Sequence, residues 1–134
     1  MANATRAFRI QSSVTLGADQ TWNIANAVTA TNSGFGLNKG EDFGFNVPPA
    51  GFVLDMAGFT VTKTGAGMAG FGTGITVTST VPGAEFDVDQ GIMMFQSGGS
   101  RTTTVTDALT LNMNTGTRLQ IAVESGLAAI GIAV

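Results

Sequence analysis

The amino-acid sequence predicts an all-β protein made of short strands and glycine-marked turns, and three observations predict this class. Hydrophobic residues make up 43% of the 134 residues and charged residues 11%, so the chain can bury enough apolar surface to offset its ordering entropy. Val, Ile, Thr and Phe alternate with polar residues in short runs, as strand residues do. Turn-forming residues separate these runs. The length fits one domain, residues 1–134.

The runs with a strand pattern follow one another along the chain. They are FRIQSSVTL (8–16), FVLDMAGFTVTKT (52–64), GITVTST (74–80), AEFDVD (84–89), IMMFQ (92–96), TTTVTDALTLNM (102–113) and TRLQIAVE (117–124). QTWNIANAV (20–28) is the best helix candidate, but its β-branched residues and flanking turns favour a strand at least as strongly. Residues 32–51, with Phe35, Phe43 and Phe45 between glycines, break the pattern and are predicted to be an irregular insertion.

The spacing of the glycine turns is typical of a solenoid, in which each turn of strands buries its apolar side against its neighbours. Alternation then places Thr and charged residues outside and apolar residues inside. The predicted inward positions are Val61, Ile75, Val77, Phe86, Val88, Leu109, Leu111, Leu119, Ile121 and Val123. A β-sandwich or jelly roll predicts the same alternation, so periodicity leaves that alternative open.

Three motifs carry a resemblance to a known family: LGADQTWNI (16–24), FTVTKTGAG (59–67) and DVDQGIMMF (87–95). Over residues 14–95 they resemble the autotransporter-associated β-strand repeat, and TKTGAG is the most specific part. The chain departs from the family pattern after TKTGAG, where it reads MAGFGTGITVTSTVPG. The resemblance implies a right-handed parallel β-helix of roughly six rungs from a secreted or surface-displayed bacterial protein.

In such a β-helix the motif residues take structural roles. Gly65 and Gly67 are expected at a corner between stacked rungs, where a positive φ or the absence of Cβ is needed. Lys63 is expected on the outside beside that turn, and Trp22 over an end or corner of the core. The segment 59–80 is thereby interpreted as a corner between two rungs.

The composition excludes several classes of function. The chain has no His, Cys or Tyr, which removes Ser-His-Asp and Cys-His catalysis and the usual zinc ligands, so we predict that it is not an enzyme. Six Lys and Arg residues and a net charge of -3 make no basic patch for nucleic acid. The apolar SGLAAIGIAV is shorter than the ~20 residues of a membrane helix. MANATRAFRIQSSV has no apolar signal-peptide region, so if the protein is exported, its signal was removed, lies outside this sequence, or belongs to another export route.

Two polar patterns could carry a binding function. Glu85, Asp87 and Asp89 share one face of a strand at period 2 and are a candidate calcium site, although a solvated acidic face is the favoured interpretation, because calcium needs more oxygen ligands. No other cofactor is predicted. The T-x-T runs TVTKT, TVTST and TTTVT suggest an ice-binding face, a minor hypothesis because their spacing is irregular and Thr is common in strands.

The ends of the chain indicate self-assembly. Apolar, strand-prone termini on a short solenoid predict head-to-tail association into a ring or filament. The residues expected at that contact are Leu127, Ala128, Ile130, Ile132 and Val134. The leading hypothesis is a structural subunit of an extracellular or bacterial cell-surface assembly. The alternative is an adhesive module in which Phe35, Phe43 and Phe45 contact a glycan or a protein.

Overall fold

The computed structural model describes residues 8–10, 12–25, 43–45, 51–72, 74–97, 104–106, 109–123 and 131–132. These residues form short strands joined by turns and bends, with no helix among them, and hence no helical segment that could cross a membrane. The described strands are β1 (Phe8–Ile10), β2 (Val14–Thr15), β3 (Gln20–Asn23), β4 (Phe43–Phe45), β5 (Val53–Asp55), β6 (Thr60–Thr64), β7 (Met68–Phe71), β8 (Thr76–Thr78), β9 (Ala84–Val88), β10 (Ile92–Ser97), β11 (Thr104–Val105), β12 (Leu109–Met113), β13 (Arg118–Val123) and β14 (Gly131–Ile132).

The strands form three parallel sheets through which the chain passes in rotation. Sheet A has the order β1-β4-β7-β10-β13, sheet B has β2-β5-β8-β11-β14, and sheet C has β3-β6-β9-β12. Each strand from β1 to β11 pairs in parallel with the strand three places further along the chain. This is the strand order of a solenoid, whereas the β-sandwich and jelly-roll alternatives are built from antiparallel sheets. The described strands make four passes through the sheets and part of a fifth, which does not confirm the predicted number of about six rungs.

Every predicted strand run contains a described strand, and three of the runs contribute strands to two different sheets. FRIQSSVTL becomes β1 and β2, FVLDMAGFTVTKT becomes β5 and β6, and TTTVTDALTLNM becomes β11 and β12. The ambiguous QTWNIANAV contains strand β3, not a helix, in its described part. Each division lets the chain turn from one sheet into the next.

The predicted insertion overlaps an unusually long link between sheet C and sheet A. Residues 24–42 join β3 to β4, whereas the other links from sheet C to sheet A are 65–67, 89–91 and 114–117. Within the predicted range 32–51, Phe43–Phe45 is strand β4, which pairs with both β1 and β7. Part of this segment is therefore a regular member of the coil, and residues 32–42 and 46–50 lie outside the described residues.

The core lies between the three sheets and follows the predicted alternation. Strand β6 alternates half-buried Thr with buried residues, and β9 repeats the same alternation with Phe86 and Val88 inside. Five of the ten predicted inward residues are buried: Val61, Ile75, Val77, Phe86 and Val88. Aromatic rings fill the centre, with Phe71 stacked on Phe95 at 5.2 Å between centroids and edge-on to Phe86 at 5.7 Å, the two geometries that aromatic quadrupoles favour.

Leu119 and Ile121, which were predicted to face inward, are in line with the core but are not buried. Leu119 is 37% exposed and Ile121 is 49% exposed, although they pair in register with the buried Met93 and Phe95. Their register places them in line with these buried core residues. However, β13 is the last strand of sheet A, so no further described strand of sheet A covers them. Three other predicted inward residues differ in outcome: Leu109 and Leu111 are half-buried against the core, and the side chain of Val123 lies outside the described set.

The glycine-rich stretch after Lys63 is a corner followed by a strand. Residues 65–67 make the corner as predicted, but Met68–Phe71 is strand β7, buried on both of its faces. A strand that is covered on both faces shows no polar alternation in its sequence. The segment 59–80 thus passes through all three sheets and is not a single corner between two rungs.

Candidate functional site

Lys63 is buried, so the prediction that it lies on the outside of the coil is wrong. The residue is 0% exposed and occupies an inward position of β6, between Trp22 of β3 and Val88 of β9. Period 2 along the strand explains this, because Val61 faces inward and the residue two places on must share its face. The alternation that identified Val61 was therefore also the signal for Lys63.

The ammonium group of Lys63 links two consecutive corners of the coil. Its Nζ donates hydrogen bonds to the carbonyl oxygens of Gly65 at 2.7 Å, Gln90 at 2.8 Å and Thr64 at 3.2 Å. These three acceptors match the three donors of an ammonium group. In the opposite direction, the Gly65 amide donates to Oε1 of Gln90 at 3.0 Å. The KTGAG corner and the DQG corner are thereby joined through one buried cation.

Glycine is required at two positions of these corners, as predicted for Gly65. Gly65 has φ +78°, and a Cβ there would collide with the carbonyl of Ile24. Gly91 has φ +75°, and a Cβ there would lie 2.5 Å from the Gly67 carbonyl oxygen and 2.8 Å from Lys63 Nζ. Positive φ and close backbone approach each favour glycine. Gly67, the second predicted corner residue, is buried and accepts the Ile92 amide at 3.2 Å.

Asp55 makes a comparable connection between sheets B and C. Its Oδ1 accepts the amides of Ala57 and Thr80, both at 2.9 Å, and its Oδ2 accepts the Thr80 hydroxyl at 2.8 Å. The Thr80 amide contributes most to lowering the pKa of Asp55, and the Ala57 amide and Thr80 hydroxyl add to it against the opposing effect of desolvation. These bonds favour the ionised carboxylate. They also hold Ala57 at φ +50°, a conformation that residues other than glycine rarely adopt.

The acidic residues proposed for calcium lie on the outer face of sheet C, beside two asparagines. Asn112 donates to Asp87 at 2.7 Å and to Glu85 at 3.3 Å, and Asn114 donates to Asp89 at 2.6 Å. Within the described residues, no group of three or more His, Cys, Asp or Glu is arranged to hold a metal ion. The carboxylates accept hydrogen bonds from the side-chain amides of Asn112, in the neighbouring strand β12, and of Asn114, which directly follows that strand; cross-strand polar pairs of this kind stabilise an outward face.

The threonine rows share no single face. Thr60, Thr62 and Thr64 lie on sheet C, whereas the TVT runs at 76–78 and 104–106 lie on sheet B. The two TVT runs are in register, and the hydroxyl of Thr106 donates to that of Thr78 at 3.0 Å. Thr78 pairs on its other side with Asp55, not with another threonine. The aligned threonine rows are therefore two strands wide in the described part of sheet B.

The two ends of the coil carry large apolar side chains that are only partly buried or exposed. We define the first end as β1, β2 and β3, and the last end as β12, β13 and β14, because these are the outermost described strands of the three sheets. Half-buried Trp22 lies on β3 at the first end, with its ring 5.9 Å from that of Phe86. This agrees with its predicted place over an end of the core. Leu119 and Ile121 lie at the last end.

The remaining predicted contact residues are only partly described. Phe43 and Phe45 lie in β4, in register with Ala69 and Phe71, whereas Phe35 lies outside the described residues. Of the five apolar residues proposed for self-assembly, Ile132 lies in β14 and pairs with Val105 of the same chain. The other four, Leu127, Ala128, Ile130 and Val134, also lie outside the described residues. Their roles in binding or assembly stay predictions.

In comparisons with known proteins, no family model, no curated protein and no solved structure matches this chain.

Proposed function

We propose that this chain is a non-enzymatic structural unit, a parallel β-helix that associates end to end with further copies of itself. The observation that carries the proposal is the exposure of Leu119 and Ile121, 37% and 49%, at positions in register with fully packed core residues. An apolar core column that ends in exposed side chains gains burial when another layer is added.

The free strand edges support the same association. All three sheets end at the first end of the coil and again at the last end, among the described strands. The outermost strands therefore offer backbone groups to a further strand, which is how β-augmentation recruits a partner. A second copy stacked head to tail on β13 and β14 would continue sheets A and B in parallel, and repetition of such a heterologous contact gives a ring or an open filament.

The proposal also includes the handedness of the coil and the location of the protein. Connections between parallel strands of one sheet are right-handed in ≈ 98% of cases, which favours the right-handed coil that the motifs TKTGAG and DQG also imply. The resemblance of these motifs to the autotransporter-associated β-strand repeat favours an extracellular or bacterial cell-surface location.

Sedimentation velocity of wild type and Ile121→Lys, over a wide range of protein concentration, tests the proposal. A lysine at the edge strand discourages pairing through its charge, so the variant is expected to remain monomeric where wild type forms larger species. Val81→Lys is the matched control, because Val81 is 50% exposed but lies in the turn before β9, away from both ends. Wild type that sediments as a monomer at every concentration would rule the proposal out.

The adhesive alternative, with Phe35, Phe43 and Phe45 as the contact residues, makes a different prediction. Replacing these residues with Ala would remove binding to a glycan or protein array while leaving the sedimentation of the protein unchanged. Among the described residues, the ice-binding hypothesis is supported only by the alignment of the two TVT runs in sheet B.

A further inference from the structure

We infer the register of the junction between copies: Ile10 of a second copy stacks over Ile121, and Phe8 of the second copy stacks over Leu119. This inference rests on the proposed end-to-end association and specifies which strands meet. The joining strands are β13 of one copy and β1 of the next, which would extend sheet A across the junction in parallel.

Two continuous columns of apolar residues cross sheet A and carry the inference. One column contains Ile10, Phe45, Phe71, Phe95 and Ile121, and the other contains Phe8, Phe43, Ala69, Met93 and Leu119. In the middle of the columns, Phe71 and Phe95 are 1% and 2% exposed, and at the last end Ile121 is 49% exposed. Ile10, at the first end, is half-buried.

The columns determine how a further strand would have to align. A parallel strand added beyond β13 must place an apolar residue over Ile121 and another over Leu119, two residues apart on one face. Strand β1 meets this requirement, because Phe8 and Ile10 occupy the same two columns within the chain. A shift of one residue would place Arg9 over an apolar column, and register is strongly specified wherever one face is buried.

Engineered disulfides test this register directly, because the chain contains no cysteine. The double variant Ile10→Cys with Ile121→Cys brings the two Cα atoms to about 4.8 Å across the proposed junction, within the ~4.4–6.8 Å range of a disulfide. The same two residues lie four strand spacings apart within one chain, about 19 Å, so an internal disulfide cannot form. Mild oxidation should therefore produce a covalent ladder on a non-reducing gel.

The matched control shifts one cysteine by two residues, in Ile10→Cys with Leu119→Cys. An offset of two residues along a strand is about 6.6 Å, and together with the strand spacing of about 4.8 Å it separates the two Cα atoms by about 8 Å, which is beyond disulfide range. We expect at least five times less ladder from this control at the same concentration. Two results would overturn the proposed register but not the association. One is equal ladders from both double variants, and the other is no ladder from the first variant although it sediments as an oligomer when reduced. A monomeric wild type would refute the association itself.

Discussion

Replacing Lys63 with Met tests whether the buried ammonium group stabilises the corner between sheets C and A. Met keeps an unbranched apolar stem but lacks the charge and the three donors. In the wild type the side chain is 0% exposed, and Nζ donates to the carbonyl oxygens of Thr64, Gly65 and Gln90. The substitution therefore removes hydrogen bonds while nearly preserving the packing.

Two opposing effects determine the change in the free energy of unfolding. Removing a buried charge relieves its desolvation penalty, but three charge-assisted hydrogen bonds already replace the hydration of this ammonium group. The carbonyls remain: that of Thr64 keeps the Ile24 amide at 3.0 Å, whereas those of Gly65 and Gln90 lose the Lys63 donor. Each buried acceptor left unpaired costs ~1–3 kcal/mol. Because Gln90 is exposed and water can reach it, we expect a loss of about 2–4 kcal/mol.

The protein's single tryptophan makes the measurement direct. Trp22 pairs in register with Lys63, and its ring contacts Phe71 and Phe86, so its fluorescence should follow unfolding of this region in urea. The expected loss lowers the midpoint by about 1–2 M urea. Thr62→Met is the control, since Thr62 precedes Lys63 on the outward face and a surface change costs about 0.5 kcal/mol or less. A Lys63→Met midpoint equal to or above that of wild type would show that relief of charge burial dominates, contrary to this reasoning.

The two remaining predictions concern corners of the coil. Gly91→Ala should destabilise the protein by about 1–3 kcal/mol more than Gly116→Ala in urea unfolding. Both glycines have positive φ, but of the two only Gly91 faces a carbonyl, that of Gly67, which would lie 2.5 Å from the added Cβ. Equal losses of stability would show that this close contact has no cost. For Asp55, the folded pKa lies below the usual value of 3.8. The unfolded state therefore binds the proton first as pH falls, and stability present above pH ~4 is lost as pH drops through the folded pKa. Asp55→Asn should flatten the dependence of the urea midpoint on pH below 4, and an unchanged slope would contradict the assignment.

The sequence predicted those parts of the fold that local alternation and turn chemistry determine. Val61, Phe86 and Val88 alternate with polar neighbours, and all three are buried as expected. Gly65 has the positive φ expected at its corner. In both cases the physical constraint lies within a few residues of the chain, where a single sequence can show it.

The features that sequence reasoning missed depend on residues about one turn of the coil away. The burial of Lys63 becomes favourable because the Gln90 carbonyl, 27 residues further on, accepts a hydrogen bond from its ammonium group. Strand β7 has no alternation because both of its faces are covered, and exposure of Ile121 depends on which strand ends sheet A. The pairing of Asn112 with Asp87 across 25 residues likewise requires the strand register. The inward position of Lys63 follows from the alternation along β6, but its hydrogen-bond partners and the other relations in this group cannot be inferred from local pattern alone.

The corner contacts also explain why association at the ends would stabilise the coil. The side-chain hydrogen bonds of Lys63, Asp55 and Asn112 each join one turn to the next, over separations of 25 to 27 residues. In such an architecture stability is approximately a sum of nearest-neighbour contacts between turns. An inner turn has neighbours on two sides, whereas the turn that contains Ile121 has a described neighbour in sheet A on one side only. A second copy stacked on β13 would therefore supply the same kind of interface that each inner turn already has, and the exposed ends of the apolar columns are the surfaces on which that interface would form.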